Sequence, residues 1–322
     1  MAESNTGARV EEMRNAFGSA LVELGLEYSE MVFLDADLHT STKASDFKER
    51  FPDRFYQVGI AEQNLFGIAA GLALEGYIPF PSTFAAFATR RALDQLVISI
   101  CFANLNVKIP GSYVGIPTSR AGGSHNCIED TAVMRSVPNL RVADPATPAD
   151  LAAVMRTAMK TPGPVYFRVA RLAVEELFPK DHVFSWDRAE TLRSGTDVSI
   201  LSSGIMLHKS MEAAEILAGE GIQAEVVHVA AVKPLPEADI LASIARTRCA
   251  VTAENASVVG GFGAAIAELL GSRDPVPIQR IGVSDRFVES GGIEELFTVH
   301  KMQPVDIAAA ARLSIDMKER RR

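Results

Sequence analysis

The sequence predicts an α/β protein made of two consecutive doubly wound halves with mostly parallel sheets. Three observations predict it. Short apolar runs such as MVFLDAD and PVYFRVA alternate with helical patterns along the chain. That alternation builds parallel sheets covered on both faces. The length, 322 residues, exceeds one ordinary domain. Composition turns polar around 178–195, which holds the only tryptophan, Trp186, and a second strand–helix pattern begins after it. The expected organisation is a first domain over 1–180, a linker over 181–194 and a second domain over 195–322.

Taken in order, Glu11 to Leu24 has helical spacing and Met31 to Asp37 is a short buried strand ending in acids. His39 to Arg54 is a polar connection with helical character. A helix opened by Glu62 follows, then a strand over Ile78 to Ser82 and a helix over Ala85 to Ala103. Asn106 to Gly111 reads as a strand, SYVGIPTSRAGGSHN as a Gly-rich loop and CIEDTAVMRSV as a helix. LRVADPA is a strand, and Thr147 with Pro148 opens the helix before strand PVYFRVA. The second half gives strands DVSILSSG, AEVVHVA, CAVTAEN and VPIQRIGV. Its helices cover Leu207 to Ala218, Gly263 to Leu270 and a tail from Val305.

Charge and cysteines exclude several classes. Forty acidic against 32 basic residues, net −8, argue against nucleic acid or an anionic membrane as main partner. Arg320, Arg321 and Arg322 read as a solvated tail behind a helix, where positive charge suits the dipole. Three scattered cysteines, Cys101, Cys127 and Cys249, lack metal-ligand spacing and point to a reducing compartment. The N-terminus is polar, and the apolar run Leu65 to Leu74 is too short to span a bilayer. A soluble cytoplasmic protein is expected.

The stretch from Phe55 to Arg91 is the chemical centre. Glu62 is a single carboxylate ahead of Leu65, Ile68, Ala69 and Leu72, which recur at helical spacing. Gly67 and Gly71 lie four apart and leave one helix face bare. A mid-helix glycine costs about 1 kcal/mol, so a pair implies close approach of another element. Apolar surroundings strip water from Glu62 and favour its neutral, proton-donating form, which can bond a ring nitrogen. Phe84 and Phe87 offer a stacking surface for such a ring. From spacing alone, Glu62 reads first as a first-turn acid facing solvent and serving the helix dipole.

GIAEQNLFGIAAGLALEGYIPFPSTFAAF resembles the pyrimidine-binding segment of the transketolase and deoxyxylulose-phosphate synthase superfamily. VKPLP, TAENASVVGGFGAAIAELL and IGVSDRFVESGGIEELF resemble its C-terminal domain, so the resemblance spans about residues 9–315. It implies thiamine diphosphate as cofactor, with Glu62 activating its aminopyrimidine and Phe84 and Phe87 stacking on it. Asp37, near the thiazole, and Ile60 complete the implied cofactor set. The family's third aromatic falls on Arg90. His125, in SRAGGSHNCIED, matches a His that contacts the sugar donor. Arg14, Ser41 and Arg171 match the donor-phosphate anchor, where an Arg fork makes two charge-assisted bonds. Two departures stand out: a donor-reading Asp aligns with Ala121, and a phosphate-contacting His aligns with Tyr113. A methyl cannot bond a hydroxyl, so a donor other than an ordinary pentulose or hexulose phosphate is expected. Asn255 follows Glu254 where the family often has His.

The family's diphosphate and Mg²⁺ motif, GDG with a downstream Asn, is not found. Asp35, Asp37 and Asp46 have no glycine turn around them, so no metal ligand is expected on this chain. The resemblance therefore implies a split transketolase. A partner subunit would supply the diphosphate domain and the Mg²⁺ ligands, in an α2β2 assembly around a homodimer core. The Gly67/Gly71 face is the candidate contact. The implied activity is transfer of a two-carbon ketol unit from a ketose, as phosphate, to an aldose. A 2-oxoacid dehydrogenase β subunit, a deoxyxylulose-phosphate synthase fragment and a non-catalytic scaffold are the alternatives.

Overall fold

A computed structural model describes residues 10–320. The polar N-terminus before Val10, and Arg321 and Arg322 of the basic tail, lie outside the described residues. The alternating pattern folds into two main sheets. The first has seven strands in the order Ala231–Lys233, Arg141–Ala143, Val165–Val169, Lys108–Ser112, Ile78–Phe84, Met31–Asp35 and Phe55–Gln57. All its pairings are parallel except that of the edge strand Ala231–Lys233. The second has five strands in the order Ile278–Val283, Ala250–Ser257, Val198–Ser202, Ala224–His228 and Glu190–Arg193, the last antiparallel. A two-stranded ribbon pairs Val10–Glu12 with Ala173–Glu175.

Central strands such as Met31–Asp35, Lys108–Ser112 and Val165–Val169 are buried at every position, as strands covered on both faces must be. Two apolar clusters form the core, and each draws on both halves of the chain. Lys108 is the polar exception. Its buried Nζ donates to Asn106 Oδ1 at 2.6 Å and to the carbonyls of Thr161 and Gly163 at 2.6 and 2.9 Å. All three ammonium protons are thereby matched by acceptors.

Several elements differ from the sequence expectation. The first helix is Met13–Glu27, not Glu11 to Leu24, because Glu11 and Glu12 are extended in the ribbon. The strand before Phe84 runs through Phe84 itself, which sets that ring at the carboxyl end of a parallel strand. The expected long helix over Ala85 to Ala103 divides into Ala85–Arg90 and a π-helical Gln95–Cys101. Helices Glu237–Thr247 and Ile293–Val299 were not expected.

A buried polar seam joins the halves. Arg168 donates from Nε to Asp130 Oδ2 at 2.8 Å, from Nη1 to Asp144 at 2.9 Å and from Nη2 to the Asn255 carbonyl at 2.9 Å. Ser203 adds a bond to Asp144 at 3.0 Å. Asn255, standing where the family's His would be, accepts from the Ile116 amide at 2.9 Å. Gly115 lies against it at φ +60°, and a Cβ there would sit 2.4 Å from the Asn255 carbonyl. Removing one partner from such a buried charged network costs about 3–5 kcal/mol, so the seam holds the loop 116–126 in one place.

Candidate cofactor and donor site

Glu62 is the first residue of helix Glu62–Leu74 and is 2% exposed, so the buried acid expected from the sequence is buried. It does not stand alone among apolar groups, however. Arg91, half exposed, donates from Nη1 to both carboxylate oxygens at 2.9 Å. The Arg91 guanidinium also lies over the Phe87 ring at 4.5 Å. This bridge between acid and aromatic was missed, since nothing in the spacing pairs Arg91 with Glu62.

Phe84 and Phe87 stack with centroids 5.8 Å apart and planes at 26°. The aromatic surface does not shorten where the family's third ring is lost at Arg90. It extends on the other side, because Tyr113 stacks on Phe84 at 4.2 Å and 25°. Tyr113 holds a left-handed backbone, φ 63°, unusual for a bulky residue. His125 meets both phenylalanines edge-on, at 6.0 Å from Phe84 and 5.4 Å from Phe87, and its Nδ1 lies 2.8 Å from Ser124 Oγ. Arg90 has a different task from stacking. It donates to Glu129 at 2.5 Å and to the carbonyls of Asn126 and Gly123 at 3.0 and 3.3 Å, clamping the loop that carries His125.

Asp37 is exposed with φ 64°, and its side chain takes no part in capping the strand end. That cap is Asp35, buried, which accepts from the Leu38 amide at 3.1 Å and from Gln57 Nε2 at 2.8 Å. Gln57 Oε1 in turn accepts from the amides of Asp37 and Gly59, at 3.0 and 2.9 Å. Gln57 so ties the Asp37 turn to the loop leading into Ile60 and Glu62. Ile60 is 74% exposed.

The expected anion-binding residues converge on Tyr113. Arg14 Nη1 lies 3.3 Å from Tyr113 Oη and 3.5 Å from the Ser41 carbonyl. Tyr113 Oη also donates to that carbonyl at 3.4 Å, so Ser41 enters through its backbone. The Arg171 guanidinium sits over the Tyr113 ring at 5.2 Å. Arg14 is already engaged, though: its Nε donates to Glu12 at 2.6 Å. That bond, with help from Lys43 and Arg171, holds the Glu12 carboxyl below its usual range. A cavity of about 500 Å³ opens beside it, lined by Glu12, Thr118, Ser119, Arg120, Ala121 and Arg171 among others.

An acid, an aromatic ladder, a histidine and a cationic cluster thus share one rim of a mostly parallel sheet, the arrangement of a candidate ligand site in an α/β protein. The chain belongs to the transketolase family. Residues 11–176 match the model for "Transketolase, pyrimidine binding domain" and residues 187–307 that for "Transketolase, C-terminal domain". It is 42% identical over 299 residues to the 6-deoxy-6-sulfo-D-fructose transketolase subunit SqwH of Clostridium sp. (strain MSTE9), covering 93% of each chain. It is 32% identical over 299 residues to an apulose-4-phosphate transketolase subunit of Phocaeicola vulgatus, covering 92% of this chain and 96% of that one. A solved structure described as a split gene transketolase, inactive beta4 tetramer, superposes with a TM-score of 0.90 at 45% identity, over 95% of this chain and 99% of that one. The chain therefore corresponds to the C-terminal subunit of a split, thiamine-dependent transketolase.

The residues present suit the pyrimidine end of thiamine diphosphate. Arg91 bonds the buried Glu62 carboxylate and lies over Phe87, so the acid and the Phe84–Phe87 pair border one place that an aromatic heterocycle could share. The Asn126 amide, beside His125 in sequence, is buried with no hydrogen-bond partner among the described residues, so it has bonding capacity left for an entering group. No group of acidic, His or Cys side chains among the described residues could hold a metal ion. No described helix is long and apolar enough to cross a membrane.

Proposed function

We propose that this chain supplies the pyrimidine half of a transketolase site. The site moves a two-carbon ketol unit from a ketose to an aldose and is completed by a partner subunit. The observation that carries the reading is the buried Glu62 set beside the Phe84–Phe87 stack. Bound thiamine diphosphate would supply the carbon nucleophile for the transfer. Glu62 would bond the pyrimidine nitrogen and hold the proton there, and Phe84 and Phe87 would seat the ring. His125, within ring contact of both, would hold a proton at the donor oxygens. Asp37 and Ile60, on turns tied by Gln57, would border the cofactor. Arg171, with Arg14 and the Ser41 backbone behind it, would face the far, anionic end of the donor.

The partner subunit would bring the diphosphate domain and the Mg²⁺ ligands, since the family models matched here are those of the pyrimidine-binding and C-terminal domains. Gly67 and Gly71 are exposed, and a Cβ on either would meet nothing within 4 Å. Ile68 and Leu74 on that helix, Ile98 on Gln95–Cys101 beside it and Phe102 just after it are exposed apolar groups. We read this surface as a subunit contact within an α2β2 arrangement built on a homodimer core. The relatives' names carry a sulfonated and a phosphorylated sugar, which supports an anionic donor end here.

The test is Glu62→Gln in the chain co-expressed with a diphosphate-domain subunit. Ketol transfer should fall by roughly 100-fold or more, the scale of a lost proton-handling group, with the assembly intact by gel filtration. The chain purified alone should transfer nothing. Undiminished transfer by the variant would overturn the reading in favour of a scaffold.

A further inference from the structure

Arg14, Arg171, Arg120 and Glu12 are not in equivalent states. Arg14's fork is spent inside the protein: Nε on Glu12, Nη1 on Tyr113 and the Ser41 carbonyl. The side chains of Arg120 and Arg171 make no hydrogen bond among the described residues, and both line the 500 Å³ cavity. Ala121 lines it too and brings no acid. Glu12 is the one carboxylate among the lining residues, and it lies on the ribbon strand paired with Ala173–Glu175, which begins two residues after Arg171. The ladder fixes the main chain at Glu12, and the 2.6 Å bond from Arg14 Nε holds its carboxylate. An anion entering the cavity meets two free guanidinium groups and one fixed negative charge.

Resting on the transketolase reading, we propose that Glu12 is a specificity-determining residue, a counter-charge that narrows the advantage a phosphate dianion would otherwise hold over a singly charged donor end. Repulsion from a fixed charge scales with the charge of the ligand. Each added negative charge on the donor end gains from Arg120 and Arg171 and loses to Glu12, which offsets Arg14. A sulfonate-type end, monoanionic at every working pH, loses least among anions. A phosphate loses twice as much once its second proton leaves.

The test uses the full chain with its partner subunit and three six-carbon ketoses bearing a phosphate, a sulfonate or a hydroxyl at C6. Wild type should take both anionic donors ahead of the hydroxyl-ended one. Glu12→Gln, the same shape without the charge, should raise kcat/KM for the phosphate donor by roughly three- to tenfold more than for the sulfonate. The hydroxyl-ended ketose should respond least. Glu12→Ala should give the same order. Equal responses from all three donors would overturn the proposal. So would a wild-type preference for phosphate that the variant leaves unchanged. Calorimetry with inorganic phosphate and methanesulfonate, on the same assembly, reads the site without turnover. Glu12→Gln should tighten phosphate more than methanesulfonate, and equal effects count against Glu12. Failure of every ketose to react, with this anion order intact, would remove the transketolase reading and leave the charge filter standing.

Discussion

At the scale of single residues, the site is made of side chains that hold one another as much as they await a ligand. Arg90 shows this best. It stands where an aromatic ring was expected, yet three bonds fasten it to Glu129, Asn126 and Gly123 around His125. Arg90→Ala should free that loop. Amide exchange over 122–126 should accelerate, and donor KM should rise roughly tenfold, the effect of losing charge-assisted bonds worth about 1.5 kcal/mol. An unchanged exchange rate would show that the seam at Asn255 alone holds the loop. Glu62, Phe84, Phe87 and His125 were legible in the sequence because they sit in contiguous motifs. Arg91, Tyr113 as a stacking partner, and Glu12 were not, because each acts through a contact made only once distant segments fold together. That Asp35 caps the strand end was not legible either, because two acids two residues apart look alike until the chain turns, and only Asp35 turns inward.

At the scale of elements, the helix Glu62–Leu74 has two faces with different work. Leu65, Phe66, Ala69 and Ala70 pack inward, while Gln63, Gly67, Ile68 and Gly71 face out. The bare glycine face costs helix stability in the isolated chain, so replacing it should show opposite effects in two measurements. Gly67→Leu with Gly71→Leu should stabilise the isolated chain by about 1 kcal/mol or more, from helix propensity, seen as a raised denaturation midpoint. The same pair should abolish co-purification with the partner subunit, because side chains would fill the approach. Retained assembly would move the contact elsewhere. Strand and helix periodicity identified this helix and most of the parallel strands. It did not identify the short antiparallel strands at 10–12, 173–175, 190–193 and 231–233. Three or four residues carry no period, and their pairing partners lie far away in sequence.

At the scale of the whole molecule, buried acids make stability depend on pH in a direction opposite to the usual one. Burial pushes the Glu254 carboxyl up to about 7, although the amides of Phe262 and Gly263 donate to it at 2.6 and 2.8 Å. Between about 4.5, its ordinary value, and about 7, the folded chain then holds a proton that the unfolded chain has released. Its contribution is full below that window and is lost as pH rises through it, by up to about 1.4 kcal/mol per pH unit. Glu254→Gln should flatten the chain's stability profile over this range in denaturant titrations at several pH values. An unaltered slope would place the proton elsewhere. Asp150 works in the ordinary sense: burial opposes its charge, but His228, His182 and the Ala146 amide hold its carboxyl well below the usual range. Both acids lie where the two halves meet or near it, which is why acidity, like packing, is shared across the seam.

The edge strand Ala231–Lys233 has one more consequence. It leaves the second half of the chain to close the rim of the first half's sheet, against Arg141–Ala143. The two halves are laced together, like a belt threaded through its neighbour's buckle. A nick in the connecting stretch would not release them, and a gene encoding only residues before Phe178 would leave an unguarded sheet margin open to sticking. Whatever divides this enzyme into separate polypeptides must therefore cut outside the laced pair.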